Sequence, residues 1–489
     1  MTARPKPFFT IGDSRLTAPP ALRYIGDGDE GASFFFCRGQ EASTINHSNK
    51  IGWFVVLVLL GTSAGAAAQS GSGQTWLDDY KARSVSEMLP EQKTESVPLD
   101  AVLKTARTQS PAVQRARARL FEGEARVEGT RMLTRYNPVI SAGVEQFRFG
   151  DSDSGEAKVG ISQRFSVAGE QAARETTAEK YRQVLQQRLE RTRWAVHTDI
   201  HRLYNLARVD VRRLQLHLQL RGFFADLKEI AELRLEAGET NRIALQVSKV
   251  ELARAKQDVV RSRSTLVSRL RTLQQRAGLE PEALPVPTGS VPDPRTNLDA
   301  AELRESAQTS HPLVEVYQAV VQRAESEVDY QTKKAWPDPT LGLFYKTRSP
   351  GPDTRDHGVV AQLSVPVPLW NANKLEREAS KAKRRVARTN LSTIRRELKP
   401  KVSDAVQSVE SAARQITIFG EELVPAFERE LELLRQGYEA GEFDITDVTV
   451  AQRRLLEGRQ QALDATASYV ESAAQLERLT GLEFWKETP

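Results

Sequence analysis

His197-Thr-Asp199-Ile-His201 is the segment best equipped for chemistry: two imidazoles four residues apart share one helix face, at a spacing that can chelate zinc or copper. Two ligands do not make a site, and no third is evident from sequence. His197 and His201 are therefore read as structural, and no metal or cofactor is expected. Cys37 is the only cysteine. It precedes a secretory signal, so the mature chain carries no thiol nucleophile, disulfide or thiolate metal site. There is no phosphate-binding glycine fingerprint and no convincing His–carboxylate–serine constellation, which argues against an enzyme.

The elements around these residues are written twice. Ser110-Pro111, Asn137-Pro138, Gly238 and Gly278 recur as His311-Pro312, Asp338-Pro339, Gly441 and Gly481, about 201 to 203 residues later. Leu99-Asp100-Ala101 answers Leu298-Asp299-Ala300, and Glu236-Ala237-Gly238-Glu239 answers Glu439-Ala440-Gly441-Glu442. Each repeat opens with a helical pattern, the first from Leu99 to about Arg135, with Pro111 near a helix start and Asn137-Pro138 as the stop. The period then changes to two. Val159, Ile161, Phe165 and Val167 alternate with Lys158, Gly160, Ser162 and Arg164, with Gln163 the exception. Its partner strand is Val139 to Phe149, joined through residues 150–155. The second repeat matches it with Leu341, Leu343 and Tyr345 on one strand and Val359, Ala361, Leu363 and Val365 on the next.

A long helical hairpin follows each pair of strands, over about Glu170 to Ala277 and Lys374 to Thr480. It breaks only at Gly238 or Gly441, where glycine suits a left-handed helix end. Glu170 to Glu236 would run 67 residues, roughly 100 Å at about 1.5 Å per residue. Pro400 and Pro425 predict kinks in the matching helix. The expected class is α+β, mainly α, a tandem helix–strand–strand–long helical hairpin.

Lys50, an apolar run from Ile51 to Leu60 and Ala66-Ala67-Ala68 have the order of a signal peptide cut after Ala68. The segments are then an extension or mis-assigned start at 1–48, a signal at 49–68, a polar stretch at 69–98, a first repeat at 99–285, a linker at 286–297 and a second repeat at 298–485. The net charge of +5 comes from interspersed signs, which fits solvated helix faces and not nucleic-acid binding. Four amphipathic strands of about ten residues suit a membrane barrel. Four cannot close one, so several chains must share it, and three would give twelve strands.

This order of elements resembles the TolC-like outer-membrane efflux proteins. Gln436-Gly-Tyr438-Glu-Ala-Gly441-Glu-Phe-Asp-Ile-Thr-Asp447-Val is similar to that family's turn, and Leu363-Ser-Val-Pro-Val-Pro-Leu-Trp370-Asn-Ala-Asn-Lys374 to the strand-to-helix junction of its heavy-metal, CzcC-like branch. The resemblance implies a homotrimer, with a twelve-stranded barrel in outer-membrane lipid continued by a coiled-coil tunnel across the periplasm. It further implies a passive exit duct served by a periplasmic adaptor and an inner-membrane transporter of the resistance-nodulation-division type. Heavy-metal cations are the expected cargo, with drugs or organic solvents as the alternative; an envelope coiled-coil scaffold is the alternative of another class. By position, Tyr438 and Asp447 match the periplasmic gate, where threefold symmetry would make Asp447 an acidic ring. Phe443, Val450 and Ala244 replace charged residues of the founding member, which points to a more apolar constriction. Glu239 and Glu442, beside the two turns, are candidates for adaptor contact or for lining the entrance.

Overall fold

The computed structural model divides into two units, Met1–Gln69 and Ser70–Pro489. Described residues lie in the second: 85–484, without 133, 150, 151, 239, 240, 352, 353, 440, 441 and 444. The extension, signal and Cys37 lie outside them. The elements are α1 (Val85–Met88), β1 (Thr94–Val97), α2 (Leu99–Gln109), α3 (Pro111–Glu128), β2 (Val139–Phe149), β3 (Ser152–Arg164), α4 (Glu170–Glu236) and α5 (Arg242–Ala277). There follow β4 (Leu284–Pro287), α6 (Ala300–Thr309), α7 (Pro312–Lys333), β5 (Thr340–Gly351), β6 (Thr354–Ser364) and α8 (Lys374–Thr417). A π segment (Ile418–Leu423), α9 (Val424–Glu439) and α10 (Ile445–Thr480) complete the chain. Both repeats are thus built as helix, helix, strand, strand, long helical hairpin.

Several local outcomes bear on the sequence reading: β3 takes in most of the expected link, running from Ser152 to Arg164 and not from Lys158 to Val167. The first long helix is split at Ser110, with Pro111 opening α3, and it ends at Glu128, well before Asn137-Pro138. Thr130 closes that end, donating its N–H (3.0 Å) and hydroxyl (2.6 Å) to the Val127 carbonyl. α8 runs through Pro400 as one element. Ahead of Pro425 the hydrogen bonds widen, the Val424 N–H reaching back five residues to Phe419. A proline ring lacks the N–H and crowds the carbonyl one turn back, and the wider π turn accommodates both defects without ending the helix.

β2-β3-β5-β6 form one antiparallel sheet, the two hairpins joined by β3 to β5. Register sorts its faces. Ile140, Ile161, Leu343 and Ala361 form one cross-strand row, and Ala142, Val159, Tyr345 and Val359 the next. This apolar face is bare, with Ile140 77% and Val144 81% exposed. Rows on the opposite face carry Lys158 with Lys346 and Glu156 with Arg348. There Phe344 is buried over Gly160 and Gly342, and Lys158 Nζ sits 4.1 Å above its ring. A Cβ on Gly160 would run into that ring and lie 2.5 Å from the Leu343 carbonyl. Neither β2 nor β6 has a second strand partner among the described residues.

The helices pack where α4 is at its middle. From Ile200 to Asp210 nearly every residue is buried, whatever direction it faces. Leu206, Val209, Val402, Val406, Val409, Val470 and Leu476 form one cluster; Leu214, Leu266, Leu270, Leu284 and Val286 another; Leu99, Val102, Tyr204 and Leu273 a third. A small parallel sheet that the sequence reading lacked, β1 on β4, helps wrap this zone. It joins the segment read as a polar stretch to the start of that read as a linker. Tyr204 secures it: the hydroxyl donates to Val97 O (2.9 Å) and accepts from the Thr288 N–H (2.8 Å). Arg208 binds the Thr288 carbonyl through Nε (2.8 Å) and Nη2 (2.6 Å).

Tyr204→Phe strands two backbone groups and should cost about 1–3 kcal/mol; an unchanged apparent melting midpoint in a thermal scan would contradict this role. Gly160→Val should disrupt the four-stranded sheet, seen as a loss of β signal in the infrared amide band, while leaving helical circular dichroism largely intact, because only the sheet is obstructed.

Candidate functional site

Three places bear on function: the tips of the helical hairpins, the sheet with its junction to the helices, and the imidazoles of α4. At the second tip, Tyr438 stands in the last turn of α9 and Asp447 in the first turn of α10, where its exposed carboxylate faces the positive end of the helix dipole. The Tyr438 side chain, Gly441, Asp444, Glu239 and the Ala244 side chain lie outside the described residues. Glu442 is exposed, and its N–H closes the turn on Gly437 O (2.8 Å). The Phe443 ring covers Gly437. At the first tip Gly238 ends α4 with a φ of 76°, the left-handed conformation expected there. Arg453 Nη2 of α10 lies 3.3 Å from Glu251 of α5, so the two hairpins run side by side near their tips. Ile243, Val247 and Leu433 are exposed in the same region.

Where strands become helices, both repeats meet in one polar cluster. Asp338, buried, accepts from the Tyr136 hydroxyl (3.1 Å) and pairs with Arg164 (3.3 Å). Arg135 donates to Glu170 at 2.5 Å, and the Arg164 guanidinium lies 4.4 Å over the Tyr136 ring. Trp336 and Trp370, flanking β5 and β6 at this end of the sheet, are both exposed.

Along α4, His217 joins three helices. The Gln460 amide of α10 donates to Nε2 (2.9 Å), so Nδ1 carries the proton, with Ser262 Oγ of α5 at 2.7 Å and the Asp258 carbonyl at 3.2 Å. Burial pushes the imidazole below its ordinary pKa; the Asp258 carbonyl and charge oppose this, while Arg213 and Arg261 assist it. About four to six turns earlier on the same helix, His197 and His201 meet a third group that sequence spacing did not reveal. Glu477, from the last turns of α10, places Oε1 3.2 Å from His201 Nδ1 and 3.6 Å from His197 Nε2. Burial alone would raise the Glu477 carboxyl, but the two imidazoles outweigh it and hold it below the usual carboxylate range. The sequence distance between the His pair and Glu477 hides this meeting; only the repeat offset, which aligns Glu477 with Gln274, marks the position.

The comparisons with known proteins now have a geometry to explain. Residues 303–482 match the family described as outer membrane efflux protein. The cobalt-zinc-cadmium resistance protein CzcC of Cupriavidus metallidurans is 23% identical over 421 residues, spanning 85% of this chain and 95% of its own. Among solved structures, CusC superposes with a TM-score of 0.62 at 13% identity, over 83% of this chain and 95% of that one. The Campylobacter jejuni outer-membrane channel CmeC gives 0.62 at 12% identity, over 86% and 94%. The fold is therefore that of outer-membrane efflux channels, a tandem barrel sheet continued by helical hairpins.

His217 is neutral in the folded chain and has its folded pKa below the unfolded value of about 6.5. The unfolded chain therefore takes up the proton first, so this contribution is whole above that value and is lost as pH falls below it. The apparent melting midpoint should drop between about pH 7.5 and about pH 5.5 in the parent, and drop less in His217→Gln; equal drops in both would refute the assignment.

Proposed function

We propose that this chain, which resembles the outer membrane efflux proteins over residues 303–482 and the CzcC protein over most of its length, is the exit duct of a tripartite efflux system, working as a homotrimer. As an outer-membrane efflux channel it is a passive conduit and not an enzyme. The observation that carries the proposal is the sheet: four strands, an exposed apolar face and two edges without a strand partner among the described residues. Lipid offers no partner for backbone N–H and C=O groups, so such a sheet is stable there only when other copies close it. Three copies supply twelve strands with a charged interior. Exposed Trp336 and Trp370 at one end suit a membrane–water boundary. From that boundary the helical hairpins extend as a periplasmic tunnel.

At the far end, threefold repetition brings Tyr438 and Asp447 into the narrowing mouth, where a ring of carboxylates attracts cations. Glu239, Glu442 and the exposed apolar residues beside them are the docking surface for a periplasmic adaptor, which connects the duct to an inner-membrane transporter of the resistance-nodulation-division type. The energy comes from that transporter. Divalent heavy-metal cations are the cargo, a reading supported by the likeness to a cobalt-zinc-cadmium resistance protein and by the acidic position at the mouth.

Single-channel conductance of the purified mature chain in a planar bilayer, with its native mass in detergent, tests this. We expect a trimer with a small, cation-preferring conductance, which in Asp447→Ala changes by roughly two-fold or more or loses its preference. A monomer, or a non-conducting rod, would replace the duct with an envelope scaffold. Deletion of the gene should sensitise its host to cobalt, zinc or cadmium; sensitivity to dyes or solvents alone would reassign the cargo.

A further inference from the structure

The three side chains His197, His201 and Glu477 are an unusual choice for a buried helix contact. His201 is 1% exposed and Glu477 0%, while the His197 side chain retains 27%. One ligand atom from each, a ring nitrogen or a carboxylate oxygen, lies within 4.8 Å of the other two. Yet the close approaches lack hydrogen-bond geometry: His197 Nε2, both ring nitrogens of His201 and both carboxylate oxygens of Glu477 are buried without a hydrogen-bond partner. Leaving that many buried polar atoms unsatisfied is costly, and native interiors avoid it. The other repeat shows what a satisfied version looks like. Gln274, at the position matching Glu477, donates its amide to Glu280 O (2.6 Å) and Ala283 O (2.8 Å) and simply caps its helix end. Only the second repeat replaces that amide with a carboxylate, and it aims the carboxylate at two imidazoles.

We propose that His197, His201 and Glu477 bind one divalent first-row transition ion, of which zinc is the best fit, as a resident clasp between the two repeats. Two imidazoles and one carboxylate, with no sulfur, are a recurrent zinc donor set, and the i, i+4 spacing on α4 presents both rings from one face. A single cation would engage the ring nitrogens and the carboxylate together, removing the unsatisfied groups at a stroke. Glu483 stands at the rim, half-exposed, with Oε1 3.6 Å from His197 Nε2; it is placed to supply a fourth ligand and marks the way in from solvent. Trp194 stacks on His197 at 5.2 Å between centroids, 15° from parallel, and holds that ring in place. The ion would sit between α4 and α10 of one chain, in the packed zone that includes Leu203 and Leu476. A tightly held ion in the wall of a duct would hinder flow; one inside the helix packing does not. The clasp is thus distinct from cargo and does not depend on what the cargo is.

The test uses full-length mature protein in detergent, without a polyhistidine tag, stripped with a chelator and titrated with zinc chloride or cobalt chloride. The wild type should take up about one zinc per chain, show the intense visible bands of tetrahedral cobalt, and melt at a higher temperature with zinc present. His197→Ala and Glu477→Gln should each weaken binding by about ten-fold or more without altering the oligomer, and remove the thermal shift. Should Glu477→Gln fail to assemble, His197→Ala, at the most exposed of the three positions, and the cobalt spectrum of the wild type decide. No uptake by the wild type, or uptake of equal affinity in His197→Ala, overturns the proposal and leaves the cluster a buried ionic contact only.

Discussion

Backbone hydrogen bonding without water is the constraint on which the rest of this structure depends. Among the described residues, a sheet of four strands leaves one row of N–H and C=O groups open along β2 and another along β6, and a hydrocarbon surround cannot satisfy them. Under the proposed assembly the single chain is a sector of a larger object. Its strand lengths, its bare apolar rows and the charges on its inner face all become intelligible once neighbouring copies close the ring. The same requirement explains why two repeats are needed in each chain: β3 pairs with β5, so each repeat completes one edge of the other.

Away from the sheet the burden passes to side chains. α4 has no single apolar stripe, because its middle is surrounded and its ends are not. The polar groups admitted to the surrounded part are mostly matched: Tyr204 and Arg208 hold the loop after β4, and His217 joins α4 to α5 and α10. Against that background the unmatched imidazoles beside Glu477 stand out as a departure with a specific chemical remedy.

Much of this was legible in the sequence because the signals were local. The 67-residue helix, the four strands with their alternating faces and the glycine that ends α4 follow from periodicity and backbone preference. What escaped was non-local or depended on competition between neighbours. α3 stops at Glu128 because Thr130 turns back on Val127, a contact weaker than the Asn137-Pro138 signal on which the sequence reading relied. The π segment at Ile418–Leu423 resolves the Pro425 problem in a way that composition does not foretell. Glu477 is one acidic residue among many until folding sets it against His201. At the second tip, by contrast, Tyr438 ends one helix and Asp447 begins the next, where the break in the helical pattern leads one to expect them.

The pairing of β1 with β4 bears on the order in which the chain becomes organised. Thr94 leaves the ribosome early, but its partner Leu284 follows about 190 residues later, and parallel strands so far apart must await the return of everything between them. The α4–α5 hairpin is a local structure that can form as soon as its turn is made. The strand pair then acts as a late fastening, closing over Tyr204 only when the first repeat has come back on itself. A translocated chain held extended before insertion therefore keeps its central belt undone, and the belt records in one contact that the first repeat is complete.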